Sequence, residues 1–484
     1  MDKKTLLIIS LICVFNNSFA GYKNDIAYTK LVNELGLDMP TGRDVSVTQT
    51  ESVSGKKSAY MPDINKPEFK YKVITDQSSP LPLGPYSGHA TSVARVFFGK
   101  NAMANGITHV NCYSTSGWLT WDFLNAHKLS QAPQAVNDRI ANHSWVGGIK
   151  EENLVINILK RVDWVIDRDE FIQVVGIKNK ASPNSPMLSG AFNIIAVGKT
   201  DGNNGRGSKL LNHIYTADRP RPHIVTPKST SSGSTPIVAS AIALLVETAQ
   251  DNPGLSNDPN KIFTTTRNNN KIYNAGRSEV IKAALMASAE RVTNNSSKIK
   301  GELPNDIADY RIDPNHRTAN GLDIRYGAGQ LNIYNSYKIL TAGEQNSKQD
   351  LSNNMGMISN HGFDYRPVFR NTADNALSTY HFKTDKVPVV LSASLVWNAR
   401  VDKGTVISFP GKVTVYNLDL ALYKNSEKGD ILIMESASIK DNTENIYVPL
   451  EANSDYTIQV SAKKERQTFE WDYAIAWHIS EAVK

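Results

Sequence analysis

The chain has 484 residues, enough for two or three domains, and 40% of them are hydrophobic while 21% are charged, as in an ordinary globular protein. The formal net charge of +6 contains no long basic run. This argues against nucleic acid or a membrane surface as the main partner.

The first twenty residues have the pattern of a secretory signal peptide. Charged residues at 2–4 precede an apolar run over 6–15, and Ser18 and Ala20 frame a cleavage site. The run is too short for a bilayer, and we expect no membrane span elsewhere. Cleavage after Ala20 leaves Cys112 as the last cysteine, so we predict a secreted or extracytoplasmic protein (periplasmic or extracellular) without an intrachain disulfide.

Strand-like and helix-like segments alternate after a short N-terminal extension at 21–44. The strand-like segments end at or just before polar residues such as Glu51 and Asn179. A helix begins near His89, and the segment 118–126 looks helical. This alternation over 45–342 predicts an α/β domain with a mostly parallel sheet and helices on both faces. Sites in such sheets gather at the carboxyl ends of the strands.

The composition changes near residue 342. Residues 343–361 are polar and indicate a linker. Short strands then recur over 362–484 without a helical period, which is typical of an all-β sandwich or jelly roll.

One helix start stands out because it is rich in hydroxyl groups. Residues 229–235 are small and mostly hydroxylated, and the apolar run 237–246 follows Pro236, which suits the first turn of a buried helix. A helix N-terminus offers unpaired N–H groups and partial positive charge. A serine there could attack a carbonyl while the amides stabilise the oxyanion. Taken alone, the stretch is more typical of a serine that caps a core helix, because serine-rich helix starts are common.

Three stretches together resemble the subtilisin-like serine peptidases. Gly88-His89-Ala-Thr-Ser-Val-Ala94 is similar to that family's histidine motif, and Thr230-Ser-Ser-Gly-Ser-Thr-Pro236 is similar to its serine motif. The strand that ends at Asn179 matches the place of the oxyanion asparagine. Smaller matches occur in the family's order at 142–148, 194–198, 224–227, 280–286 and 326–332. The resemblance covers about 45–340, and the chain beyond 375 resembles the β jelly-roll domain that follows some of these peptidases.

The resemblance implies an endopeptidase that acts on proteins or peptides. Ser232 would be the nucleophile, His89 the general base and acid, and Asn179 an oxyanion donor together with the Ser232 backbone N–H. Extended substrate would pair with the segments at 114–117 and 144–148. The substrate-binding residues would be Ser144, Trp145, Gly147 and Gly148.

The carboxylate that orients the histidine is not settled by the sequence. Glu51 follows a strand-like segment and lies in the local context that the family reserves for aspartate. Asp63 and Asp76 are alternatives in segments that look like loops. We favour Glu51, because glutamate orients histidine in acyl-transfer triads on other folds.

Three residues depart from the family's glycines. Ala90 follows the histidine, Lys178 precedes the asparagine, and Thr230 lies two residues before the serine. Side chains at 178 and 230 would crowd places where backbone passes close. A pseudo-peptidase that binds without turnover is therefore the competing interpretation, and acyl transfer on esters or glycans is a third.

No cofactor is required for this chemistry, and we expect a monomer. Loop carboxylates of the C-terminal domain could hold a structural calcium ion, although solvated carboxylates are the alternative. The candidates are Asp419, Asp441 and Glu444.

Overall fold

The structure is a computed structural model that describes residues 17–53, 59–78, 86–291, 293, 314–350, 356–370, 376–405, 409–462 and 469–481. For residues 17–20 and 314 it describes the backbone alone. Most of the predicted signal peptide therefore lies outside the described residues. The predicted cleavage bond after residue 20 falls inside the first helix, Asn17–Asp25.

The helices in the described part of the chain are α1 (Asn17–Asp25), α2 (Tyr28–Leu35), α3 (Gly88–Phe97), α4 (Glu152–Asp169), α5 (Ser231–Asp251), α6 (Ser278–Ala287) and α7 (Ile333–Thr341). Three of them, α3, α5 and α7, begin after a residue whose side chain caps the first turn. The helix expected over 118–126 is reduced to a single π-helical turn, Gly117–Trp121. Its Trp118 is fully buried and stacks on Phe123, so local packing overrides the helical pattern here.

A seven-stranded parallel sheet forms the first part of the fold, in the order β2-β3-β1-β4-β5-β6-β7. Its strands are β1 (Val47–Glu51), β2 (Val73–Asp76), β3 (His109–Ser114), β4 (Ile140–His143), β5 (Ile172–Gly176), β6 (Ile195–Lys199) and β7 (Ile224–Thr226). The predicted α/β sheet is thus confirmed. The segment before Asp76, which we expected to be a loop, is the edge strand β2, and its alternating exposure explains the weak apolar signal.

Helices cover both faces of this sheet. On one face, α3, α5, α6 and α7 pack in one apolar cluster, and α4 covers the other face. Helix α5 is long and apolar enough to cross a bilayer, contrary to our expectation from the sequence, but most of it is buried in this core.

Two small hairpin ladders flank the sheet. They consist of β8 (Phe263–Thr265) with β9 (Lys271–Tyr273), and of β13 (Arg400–Val401) with β14 (Val413–Thr414).

The C-terminal part consists of two four-stranded antiparallel sheets, in the orders β10-β19-β12-β17 and β11-β18-β15-β16. Their strands are β10 (His361–Arg370), β11 (Leu377–Lys383), β12 (Val389–Val396), β15 (Leu418–Lys424), β16 (Ile431–Ser436), β17 (Thr443–Leu450), β18 (Asp455–Ala462) and β19 (Glu470–Glu481). The alternating side chains of both sheets form one apolar layer. Strands β10 and β11 were missed in the sequence.

The two parts share a buried boundary. Phe363 and Val396 of the C-terminal strands belong to the same apolar cluster as α5 and α6. Within the predicted linker, Glu344 is 2% exposed and accepts hydrogen bonds from four N–H groups, one of which belongs to Tyr365 of β10. This segment is therefore packed against both parts of the chain.

Candidate active site

Glu51 and His89 meet at the carboxyl edge of the parallel sheet. Glu51 is the last residue of β1, and its Oε2 lies 2.8 Å from His89 Nδ1. The Glu51 side chain is 2% exposed, whereas that of His89 is 48% exposed. The buried carboxylate thus fixes Nδ1 of the ring, while the imidazole itself reaches the surface.

The start of α3 holds His89 in this position. Ser87 is the N-cap residue, and its Oγ accepts a hydrogen bond from the Ala90 N–H at 3.2 Å. Gln49 of β1 donates to the Ala90 carbonyl at 3.0 Å. The contact with Gln49 attaches the first turn of the helix to the strand that carries Glu51.

The pairing changes the pKa of both groups. The hydrogen bond that His89 donates to Glu51 raises the pKa of His89, although partial burial opposes the shift. Burial raises the pKa of Glu51, and the histidine lowers it in part. His89 is therefore a stronger base than a free imidazole.

The N-terminus of α5 leaves one backbone donor free. Thr230 accepts from the N–H groups of Gly233 and Ser234, and the Ser231 N–H donates to Asn179 Oδ1 at 2.6 Å. Among the described residues, nothing accepts a hydrogen bond from the Ser232 N–H. This donor also lies at the positive end of the helix dipole.

Asn179 offers a second free donor at the same place. It follows β5, and the bond from the Ser231 N–H occupies its side-chain oxygen. The Nδ2 group has no hydrogen-bond partner within the described ranges and can donate to a bound group. The Ser232 N–H and Asn179 Nδ2 are therefore two unpaired donors among the described residues. Asn179 is hydrogen-bonded to Ser231, the residue next to Ser232.

Ser232 is the second residue of α5 and is partly exposed. Helix α3, which carries His89 in its first turn, packs against α5, which carries Ser232 in its first turn. In the part of the chain that the structure describes, no hydrogen bond joins these two side chains. In ligand-free enzymes such bonds are often long and tighten only in the substrate complex.

The two alternative carboxylates are engaged elsewhere. Asp63 lies 3.5 Å from Lys66 in an ion pair and accepts from the Asn65 N–H. Asp76 accepts from the Tyr60 hydroxyl at 2.6 Å. Of the three candidates, the structure places only Glu51 against His89.

The predicted substrate segment is buried at one end and open at the other. Ser144 and Trp145 are 1% and 7% exposed, and Ser144 accepts from Asn142 Nδ2. Gly147 is partly exposed and Gly148 is exposed. The structure therefore leaves the two glycines as the accessible part of this segment.

The three departures from glycine cause no crowding. Lys178 and Thr230 are exposed, and Thr230 has an extended backbone (φ −139°, ψ 148°) that any residue adopts. Its Oγ1 caps α5 by accepting from the Gly233 N–H at 3.1 Å. Ala90 is buried within α3.

Pro236 does not lie in the first turn of its helix, contrary to the sequence prediction. Helix α5 begins at Ser231, because Thr230 supplies a cap earlier than expected. Proline has no N–H, so the Ser232 carbonyl receives no helical bond from residue 236.

Other groups near the sheet are structural. His143 is fully buried, its Nε2 pairs with Gln173 Oε1 at 2.8 Å, and burial lowers its pKa to about 4. Among the described residues, no three His, Cys, Asp or Glu side chains form a group that could hold a metal ion. Of the three calcium candidates, Asp441 pairs with buried Arg221 at 3.2 Å, Glu444 accepts from the Ser438 N–H, and Asp419 accepts from Asn417 Nδ2.

Sequence reasoning missed two residues that organise this site. Ser87 could have been found, since a serine three residues before Ala90 is a cap signal. Lys199, at the end of β6, donates to the Asn179 carbonyl at 3.4 Å. Only tertiary contact could have revealed it.

Comparisons with known proteins give distant similarities. No protein-family model matches the chain, and no curated protein matches it. The crystal structure of tripeptidyl peptidase 2 is 10% identical with a TM-score of 0.29, over 82% of this chain and 40% of that one, so this chain spans less than half of that protein. MycP1 of the ESX-1 type VII secretion system is 12% identical with a TM-score of 0.34, over 64% of this chain and 84% of that one. The periplasmic g-type lysozyme inhibitor PliG of Aeromonas hydrophila is 12% identical with a TM-score of 0.16, over 24% of this chain and 86% of that one. We therefore base the function on the geometry of the site.

Proposed function

We propose that this protein is a subtilisin-like serine endopeptidase with Ser232 as its nucleophile. One observation carries the proposal. The free N–H of Ser232 lies beside the free amide of Asn179, on a helix that packs against the helix of a carboxylate-bound histidine. A nucleophile, an oriented base and two oxyanion donors are the parts that acyl transfer needs.

Each residue has one role in the reaction. Ser232 Oγ attacks the carbonyl carbon of a peptide while His89 Nε2 takes its proton. Glu51 accepts from His89 Nδ1–H, which fixes the tautomer and stabilises the imidazolium. The oxyanion accepts hydrogen bonds from the Ser232 N–H and Asn179 Nδ2.

The tetrahedral intermediate that carries the oxyanion then breaks down. The C–N bond breaks, and His89 returns the proton to the leaving amine. Water attacks the acyl-serine with His89 again as base, which releases the carboxylic acid and restores Ser232. We expect the bond between Ser232 and His89 to form when substrate binds.

The proposal extends to substrate and location. A peptide bound as an extended strand along Gly147 and Gly148 would make mainly backbone contacts, which accept many sequences. The exposure of both glycines supports this mode. The signal-like residues 1–20 support secretion, and the two antiparallel sheets support a C-terminal jelly-roll domain that docks substrate or stabilises the enzyme.

A fluorophosphonate probe tests the nucleophile directly. We expect intact-mass analysis to show one adduct on the wild-type protein, none on Ser232→Ala, and an unchanged adduct on Ser229→Ala, which alters an exposed hydroxyl nearby. Peptide cleavage should follow the same order, with a fall of about 10⁶-fold in kcat for Ser232→Ala.

Other outcomes would assign other functions. A wild-type protein that takes up no probe and cleaves no peptide would be a pseudo-peptidase. Turnover of esters without peptides would indicate another acyl transfer. Cleavage that survives in Ser232→Ala would refute the assignment of the nucleophile.

A further inference from the structure

A buried lysine contacts the segment that carries Asn179. Lys199 ends β6, and its side chain is 4% exposed. Its Nζ lies 2.9 Å from Asp201 Oδ2 and donates to the Asn179 carbonyl at 3.4 Å. The ammonium group thus sits beneath one of the two proposed oxyanion donors.

The lysine is itself held in place by the backbone. Asn204 is fully buried, accepts from the Lys199 N–H at 3.0 Å and donates to the Lys199 carbonyl at 2.9 Å. Burying an ammonium group is costly unless its hydrogen bonds are satisfied. An apolar side chain would fill the same place without this desolvation cost. A charged residue at position 199 therefore indicates a role for the ammonium group.

Asn179 has few other anchors on its own backbone. The preceding residue, Lys178, donates its N–H to Ser185 Oγ at 3.0 Å and accepts from the Gly205 N–H at 2.9 Å. At Asn179 itself, the Lys199 ammonium holds the carbonyl and the Ser231 N–H holds Oδ1. These two contacts determine the direction of Nδ2.

We propose that Lys199 is a positioning residue for the oxyanion donor Asn179. By holding the Asn179 carbonyl, it keeps Nδ2 aimed at the point where the oxyanion forms. This role rests on the proposed peptidase function.

Lys199→Met tests the role by separating kcat from KM. We expect kcat to fall about 10- to 100-fold, less than when the donor itself is removed, while KM stays within about 2-fold. Lys209→Met removes an exposed lysine that pairs with Glu152, and it should leave both constants unchanged. If Lys199→Met does not fold, Lys199→Gln keeps a polar group in the cavity and gives the same comparison.

A double-mutant cycle distinguishes positioning from a general structural effect. In an Asn179→Ala background the donor is already absent, so Lys199→Met should lower kcat by less than about 2-fold. An equal loss in both backgrounds, or a wild-type kcat in Lys199→Met, would overturn the role of Lys199. A wild-type protein that takes up no fluorophosphonate would instead overturn the proposed function, and this inference with it.

Discussion

Two buried carboxylates, Glu51 and Asp472, lie in opposite kinds of surroundings. Glu51 contacts His89 with one oxygen, while its Oε1 is buried without a hydrogen-bond partner among the described residues. Asp472 accepts from the Tyr365 hydroxyl at 2.6 Å and from Arg400 Nη2 at 2.5 Å, and Arg277 Nη2 lies 3.5 Å away. Glu51 is therefore incompletely paired, whereas both oxygens of Asp472 have partners.

Their pKa values shift in opposite directions for this reason. Burial raises the pKa of Glu51, and a single half-exposed histidine compensates only in part. Burial acts on Asp472 in the same direction, but Arg400 and Arg277 bring its pKa below the usual value. Complete pairing keeps Asp472 charged at the boundary between the two parts of the chain.

The comparison separates reactive polar groups from structural ones. Among the described residues, the Ser232 N–H, Asn179 Nδ2 and the outer side of His89 have no hydrogen-bond partner, so they can bind a reacting group. At the boundary between the parallel sheet and the antiparallel sheets, hydrogen bonds and ion pairs occupy the carboxylate of Asp472. We therefore expect substitutions at the first region to change activity and those at the second to change stability.

Among the substitutions that test this comparison, Glu51→Gln should have the largest effect. A neutral amide can no longer hold the correct tautomer or stabilise the imidazolium, so kcat should fall by about 10⁴-fold while the fold is kept. Peptide cleavage and circular dichroism would check both parts. Asp63→Asn is the matched control, because Asp63 pairs with Lys66 and not with His89. An equal loss in Asp63→Asn would contradict the assignment of Glu51.

Asp472→Ala should lower the free energy of unfolding by about 3–5 kcal/mol, because two arginines lose their shared buried partner. Denaturant unfolding would measure this, and kcat per folded molecule should stay near the wild-type value. Asp455→Ala removes an exposed ion pair with Lys383 and should cost less than about 1 kcal/mol. Equal costs for the two variants would show that the boundary charges are not tightly coupled.

Asn179→Ala should lower kcat by about 10²- to 10³-fold with little change in KM, since the amide acts on the oxyanion and not on the bound substrate. Steady-state kinetics would measure kcat and KM separately. Asn105→Ala, an exposed amide far along the chain, should match the wild type. A rise in KM at constant kcat would instead assign Asn179 to substrate binding.

The pH profile should place the acidic limb of kcat/KM above pH 6.5. His89 must be neutral to accept the proton of Ser232, and its hydrogen bond to Glu51 raises its pKa above the ordinary value. Activity should therefore fall about tenfold per unit as the pH drops through this pKa. In Glu51→Gln the residual activity should titrate at lower pH. A limb that does not move would show that His89 is not the titrating group.

Thr230→Ala should have the smallest effect, about 1 kcal/mol of stability, because only the side-chain cap of α5 is lost. Thermal unfolding would measure it against Ser229→Ala, whose exposed hydroxyl caps nothing within the described residues. Equal midpoints for the two variants would mean that Thr230 contributes no cap energy.

Parts of the fold were accessible from local pattern. The alternation over 45–342 predicted the parallel sheet, and regular short strands after 362 predicted the antiparallel sheets. Strands β2, β10 and β11 were missed because edge position and half-burial weaken their apolar signal. The turn at Gly117–Trp121 was predicted as a longer helix because Trp118 also packs against His143 of β4, a contact between residues far apart in sequence.

The sequence by itself determined the order of the motifs, the hydroxyl-rich start of a buried helix, and a set of three carboxylates that could serve His89. Only the tertiary structure brought Glu51 to that histidine, because β1 lies between β3 and β4 in the middle of the sheet. It also left the Ser232 N–H without a partner among the described residues and brought Lys199 to the Asn179 carbonyl. These contacts depend on which strand ends and helix starts become neighbours in the fold. The local sequence around each residue carries no signal of its distant neighbours.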